Sequence, residues 1–551
     1  MITPNNASPG AFTLRGQVVD VVRGRITGGV VRVVDGKIAE VTPAVSPATN
    51  PTGPFILPGF VDAHVHIESS LLTPAQFARL AVVHGTVATV SDPHEIGNVL
   101  GVEGVRYMLE NGRRVPFKFY FGAPSCVPAT PFETAGAEIA ARDVESLLQM
   151  PEIRYLAEMM NWPGVLNGDA GVLEKIALAK RYNKPVDGHA PGLRGEQARQ
   201  YAAAGITTDH ECFTHEEALD KLRLGMHVLI REGSAAKNFE ALVPLLRDYP
   251  DQVMFCSDDK HPDSLVLGHI DQLVRRAVGK GIDVFKVLRA ACVNPVRHYG
   301  LDVGLLQPGD PADLVVVQDL TSFKVLQTYI NGQLVAETGR TRIASVASET
   351  PNCFSVSPQT PQAFAVPAGR ADMPVIEAID GQLVTHKLMV PAKVADGQVV
   401  ADVENDILKI TVVNRYREAP PAVAFIKHFG LKEGAIASSV AHDSHNLIAV
   451  GTDDASICRA VNLLVAAKGG LAAVTGSEEK ILPLPIAGLM SGEDGYEVAR
   501  RYEALDKLAK KMGCRLKSPF MTLSFMALLV IPSLKLSDKG LFDGDVFAFV
   551  E

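Results

Sequence analysis

Residues 58–66 read Pro-Gly-Phe-Val-Asp62-Ala-His64-Val-His66. The run is apolar apart from Asp62 and two histidines spaced two apart. In a strand, residues i and i+2 face the same side, so His64 and His66 are expected to project together. Imidazole is the commonest metal ligand in proteins, and two on one strand can grip one ion. An isolated His-x-His is more often a pair of exposed or core-satisfied histidines, so its surroundings decide.

Downstream, short apolar runs repeatedly end in titratable residues and give way to helical stretches. The runs cover 60–68, 87–94, 118–125, 154–161, 185–190, 206–213, 227–234 and 253–261. Helical patterns fall at 74–83, 102–113, 143–149, 171–182, 195–204, 216–224, 242–248 and 269–278. Eight strands, each followed by a helix, predict a (β/α)8 TIM-like barrel over 57–300. Alternating short strands before it (1–56) and after it (301–344) imply one small flanking β-sandwich built from both ends. The Asn331-Gly332 dipeptide marks a hairpin in the return segment. Proline, alanine and threonine crowd residues 345–370, as in a linker, and a C-terminal mixed α/β domain is expected to complete 345–551.

Barrel active sites lie at the carboxyl ends of the strands. Glu158 ends the fourth run, His189 the fifth, His210 the sixth, and Asp258 with Asp259 the eighth. A lone carboxylate inside an apolar strand needs a cation or a hydrogen-bond partner. Each residue alone has a bland reading as a loop cap, surface charge or core histidine. Six together (His64, His66, Glu158, His189, His210 and Asp258) point to a metal site.

Composition narrows the partners. The 551 residues are 47% hydrophobic and 21% charged, with 53 Lys and Arg against 62 Asp and Glu for a net charge of −9. That balance argues against a nucleic-acid partner and a polybasic membrane anchor. The apolar run 520–532 is broken by Thr and Ser and is too short for a bilayer, which takes about 20 residues. Residues 1–10 lack the basic-then-apolar pattern of a secretory signal. Seven scattered cysteines without a Cys-x-x-Cys pair fit a reducing compartment, and a cytoplasmic protein is expected. His94-Glu95 and His210-Glu211 start like the zincin motif, but Asn98 and Thr214 stand where its second histidine belongs. The His-x-Glu and Pro-Cys-x-x-Cys pattern of base-flipping zinc deaminases is absent. Trp162, the sole tryptophan, reads as a core residue.

These residues resemble the amidohydrolase superfamily, whose barrels carry His-x-His on strand one, a bridging Lys or Glu on strand four, His on strands five and six, and Asp on strand eight. Residues 304–315, GLLQPGDPADLV, resemble it too. Within the superfamily the likeness is to the bacterial-type adenine deaminases. It rests on His64-Val-His66-Ile-Glu68-Ser-Ser, Asp92-Pro-His94-Glu-Ile-Gly-Asn, Ala157-Glu158-Met-Met-Asn161, Gly188-His189-Ala-Pro-Gly192, Ser257-Asp258-Asp259-Lys-His261-Pro and Asp443-Ser444-His445-Asn446. It covers nearly the whole chain.

The resemblance implies two divalent metal ions, with manganese or iron favoured and zinc possible. His64, His66 and Asp258 would hold one, His189 and His210 the other, and Glu158 would bridge them in place of a carbamylated lysine. It implies hydrolysis of free adenine to hypoxanthine and ammonia by metal-activated hydroxide, in purine salvage, by a homo-oligomer with a small-molecule purine as its partner. Asp258 would shuttle the proton, and Asp259 and His94 would orient the ring or the shuttle. Glu68, Ser70 and Asn161 are candidates for the purine nitrogens. His445 is a candidate substrate contact, and with His442 it could form a lid or pack an interface. Alternatives are a cyclic-amide hydrolase of the hydantoinase or dihydroorotase kind and a non-catalytic oligomeric scaffold.

Overall fold

A computed structural model describes residues 10–43, 53–369 and 371–550. Of the expected amino-terminal segment, residues 1–9 and 44–52 lie outside the described residues, as do Arg370 at the end of the expected linker and Glu551. The eight apolar runs form strands β1 (Phe60–Val65), β2 (Thr86–Ser91), β3 (Lys118–Ala123), β4 (Ile153–Met159), β5 (Val186–Gly188), β6 (Thr208–Asp209), β7 (His227–Arg231) and β8 (Val253–Cys256). All neighbours from β1 to β5 pair in parallel, as do β6 to β8. The two arcs close on one another at both seams. Thr207 donates its backbone N–H to Val186 at 2.9 Å, Asp258 donates to His64 at 2.9 Å, and His66 donates back to Asp258 at 3.3 Å.

The helices between the strands follow the sequence patterns to within a few residues, for example Val102–Gly112, Ala170–Arg181 and Ile270–Gly279. Additional short helices, among them Trp162–Asn167, Pro262–Leu267 and Asn294–Tyr299, fall outside those patterns. His94–Leu100 begins where the second run was read as still extended, and its first residue stays buried at the barrel end.

Both flanks of the barrel join one sheet. Strand Phe55–Pro58 lies between Ala11–Asp20, parallel to it, and Leu314–Val317, antiparallel to it. Both of its faces are covered, with period two. Val315 and Val317 join Leu57 and Val19 in the core against the barrel helices. Leu314 and Val316 join Ile56, Leu14 and Val31 in the core that the curled sheet encloses. The continuous apolar run Leu-Val-Val-Val follows from that double burial, as alternation would leave one face polar.

The last third holds a second eight-stranded sheet, with Ile407–Val413 near its centre and helix Asp454–Ala467 laid on it. Helix Gly495–Lys511 packs back onto barrel helices Pro262–Leu267 and Pro74–Ala81. The apolar run near the end contributes the buried helix Pro519–Phe525. Among the described residues, no helix is long and apolar enough to cross a membrane.

Gly188 closes β5 where it meets β6. A Cβ there would lie 2.3 Å from the backbone oxygen of Thr208 and 2.7 Å from Ile206 Cγ2. Backbone cannot step aside as a flexible side chain would, so Gly188→Ala is expected to cost about 1–3 kcal/mol. A lower urea midpoint at unchanged m-value is the expected result, and an unchanged midpoint would show that the seam is looser than described.

Candidate metal centre and active site

Side chains at the carboxyl ends of the strands converge on one buried spot. Along β1 and one residue past its end, residues 62, 64 and 66 are all buried at the site. Asp62 is fully buried and anchored, accepting from the Ser257 backbone N–H at 2.9 Å and pairing with His269 Nε2 at 2.7 Å. His66 Nδ1 donates to the Asp92 carbonyl at 3.2 Å. A carbonyl only accepts, so this bond places the proton on Nδ1 and leaves Nε2 with a free lone pair.

That nitrogen faces three neighbours. His66 Nε2 lies 3.2 Å from His64 Nε2, 3.2 Å from Asp258 Oδ1 and 3.4 Å from Glu158 Oε1, and His64 Nε2 is 3.3 Å from Asp258 Oδ1. Across the site, Glu158 Oε2 meets His189 Nδ1 at 2.8 Å and His210 Nε2 at 3.0 Å. Glu158 thus turns one oxygen to each group. Lone pairs on adjacent buried imidazoles and carboxylates repel unless positive charge lies between them. Spacings of 3.2–3.3 Å are those of ligand atoms around one small cation with bonds of about 2.0–2.2 Å. The donor set therefore fits divalent metal. His64, His210 and Asp258 form one group able to hold an ion, and Glu158, His189 and His210 form another.

The backbone is fixed to hold these positions. Tyr201 Oη accepts from the His189 N–H at 3.1 Å and donates to the Met159 carbonyl at 2.7 Å, tying β4 to β5. Asn238 donates to the carbonyls of His210 and Cys212 and accepts from the Arg231 N–H at 2.7 Å, tying β6 to β7. Asp258 has φ +54°, in the left-handed region that Asp tolerates better than most residues.

Arg231, fully buried at the end of β7, was not singled out in the sequence. Its guanidinium reaches Asp258 Oδ2 at 2.6 Å and grips both oxygens of Glu211. Asp258 therefore splits its carboxylate, with Oδ1 on the histidines and Oδ2 on the arginine. Burial alone would raise its pKa, but Arg231, His64 and His66 outweigh that and hold it well below the ordinary range. Burial opposes the charge on Glu158 too, and His189 and His210 overcome it. A cation inside the apolar run VLIRE was the available signal for Arg231, and the acid following His210 was the signal for Glu211.

A cavity opens beside this cluster. The barrel lines it with His66, His94, Glu158, His189, His210, Asp258 and Asp259, and the C-terminal domain with Leu383, His442, Asp443, Phe525 and Leu528. Four other candidates lie elsewhere. Glu68 Oε1 accepts from the Ile96 N–H at 3.2 Å, and burial pushes this carboxyl up to about 7. Ser70 closes a local turn by donating to Ile67, and Asn161 caps helix Trp162–Asn167 by accepting from Gly164 at 2.9 Å. His445 sits behind the wall, its Nε2 against Glu95 and its Nδ1 accepting from the Ala441 N–H. His442, by contrast, faces the cavity, 3.1 Å from Glu95 and 3.4 Å from Asp259.

Comparison with known proteins agrees with this architecture. Residues 55–335 match the model of the amidohydrolase family, and residues 382–548 match that of the adenine deaminase C-terminal domain. The chain is 57% identical over 545 residues to the adenine deaminase of Salinibacter ruber, covering 98% of this chain and 99% of that one. It is 57% identical over 539 residues to that of a Sulfurovum species, covering 98% and 99%. It is 52% identical over 547 residues to that of Methanosarcina acetivorans, covering 97% and 98%. The chain belongs to the amidohydrolase family and carries the adenine deaminase C-terminal domain.

Proposed function

We propose that this protein hydrolytically deaminates free adenine to hypoxanthine and ammonia, at a centre of two divalent cations. The carrying observation is Glu158, whose two oxygens face two separate groups of ligand-type atoms, in a chain 57% identical to an adenine deaminase over nearly its full length. His64, His66 and Asp258 are assigned to one cation, His189 and His210 to the other, and Glu158 to both. A shell of imidazole and carboxylate suits manganese or iron, and zinc as well. Cations held there lower the pKa of water towards neutrality and polarise the substrate.

The side chains divide the rest of the work. Water adds to C6 of the purine, and its proton passes to Asp258. The proton then goes to the exocyclic nitrogen, the C6–N bond breaks, and ammonia leaves. General acid–base help of this kind is worth about 10²–10⁴-fold. Arg231 holds Asp258 anionic between transfers and fixes the direction of its carboxylate. His94 stands with Nδ1 3.4 Å from Glu158 Oε1 and borders the cavity, a position from which it can orient the ring nitrogens. Asp259 faces the same cavity but is engaged by Ser69 at 2.5 Å, which favours an orienting role. The exposed apolar edge at Val546, Phe547 and Phe549 supports a homo-oligomer, and unpaired cysteines among the described residues support a cytoplasmic setting.

Purified, manganese-loaded protein is expected to release one ammonia per adenine consumed, whereas ring opening of a hydantoin or dihydropyrimidine releases none. Absence of ammonia from adenine would defeat the proposal. Glu158→Gln should lower metal content and kcat together, the latter by at least about 10²-fold. Full occupancy with normal turnover would remove Glu158 from between the cations. Arg231→Met leaves Asp258 and Glu211 buried without their cation, and a loss of about 3–5 kcal/mol in chemical denaturation is expected. A loss below about 1 kcal/mol would mean that solvent or another group neutralises the pair.

A further inference from the structure

Most polar side chains on the cavity wall outside the proposed ligand set are already engaged. Glu211 is gripped by Arg231, Glu95 by His442 and His445, Asp259 by Ser69 and His442, and His442 Nδ1 by Ser524. Asp443 is the exception among the carboxylates there. It comes from the C-terminal domain, is 3% exposed and lines the cavity, and its Oδ2 is buried with no hydrogen-bond partner. Its Oδ1 lies 3.7 Å from His94 Nε2.

A buried carboxylate oxygen without a donor is costly, and a carboxylate can only accept. In the deaminase reading its missing partner is an N–H of the purine that fills the cavity. His94 sets where on the ligand that donor lies, because its ring spans the gap from Glu158 to Asp443. A purine with C6 at the metal-ligand cluster would extend its five-membered ring past His94 towards Asp443. Free adenine carries one N–H on that ring, and nucleosides, substituted at N9, carry none.

We infer that Asp443 selects free bases, accepting a hydrogen bond from the N–H of the purine five-membered ring, so that purines lacking it are rejected. This deepens the deaminase reading and rests on it. A site built around such a bond rejects ligands without it strongly, by about 10⁴–10⁵-fold where the bond is fully buried. Leu383, Phe525 and Leu528 supply the apolar contacts to the ring on the same wall, so one domain both covers the base and reads its edge.

The test compares adenine with an analogue of equal size in which an ether oxygen replaces the N9–H, using the manganese-loaded holoenzyme and its Asp443→Ala variant. The native enzyme is expected to prefer adenine by at least about 10³-fold in kcat/KM. Asp443→Ala, which leaves no acceptor, is expected to lose at least about 10²-fold on adenine, to change little on the oxygen analogue and to keep its metal content, so that the preference collapses. An unchanged preference in the variant, or equal use of both compounds by the native enzyme, overturns the inference. Should native enzyme release no ammonia from adenine, the deaminase reading fails by itself. Calorimetry with purine and its 9-oxa counterpart then still tests Asp443, as it does if the variant does not fold. At least tenfold weaker binding of the oxygen compound by native enzyme supports the inference, and equal binding overturns it.

Discussion

The structure turns on one constraint: a buried cluster of imidazoles and carboxylates cannot stay within 3–3.5 Å unless positive charge is interleaved among them. Glu158 is its centre, since it touches both groups of histidines at once. The surroundings are arranged to keep that density of charge in place. Tyr201 and Asn238 lock adjacent strand ends by backbone hydrogen bonds, and His66 has its tautomer set by a carbonyl. Lys221 is buried with Asp209 and Glu217 one layer below, an ion pair that anchors the strand bearing His210.

Arg231 introduces a second level of control. Asp258 has imidazoles on one side and a guanidinium on the other, and without the guanidinium its carboxylate would be drawn entirely towards the histidines. By holding Oδ2 while the histidines face Oδ1, Arg231 keeps the two oxygens of Asp258 in distinct environments. Glu211 balances the arginine, so the Arg231–Glu211 pair adds no net charge to the cluster of imidazoles and carboxylates. The C-terminal domain then supplies the remaining cavity wall, which the barrel alone does not close.

Much of this was legible in the sequence because it depends on local periodicity. The alternation around His64 and His66, and the repeated descent of apolar runs into titratable residues, revealed the barrel and the six residues that the fold brings together. Leu314–Val317, within the return segment read as short strands, is a central strand of the flanking sheet. What escaped was set by long-range geometry. Nothing near Arg231 in sequence announces Asp258, and nothing near Asp443 announces His94. Asn161 and Ser70, candidates for the purine nitrogens, bond local backbone groups: a helix cap for one and a tight turn for the other.

The flanking sheet carries a consequence for how the chain comes to be folded. Its strand Phe55–Pro58 leads into β1 after a single intervening glycine, yet one of its two neighbours is Leu314–Val317. On a ribosome adding about 5–20 residues per second, that strand waits on the order of tens of seconds for its partner. Until then, Leu57 and its neighbours are exposed on an unsatisfied edge, which makes the nascent chain a natural client for chaperones.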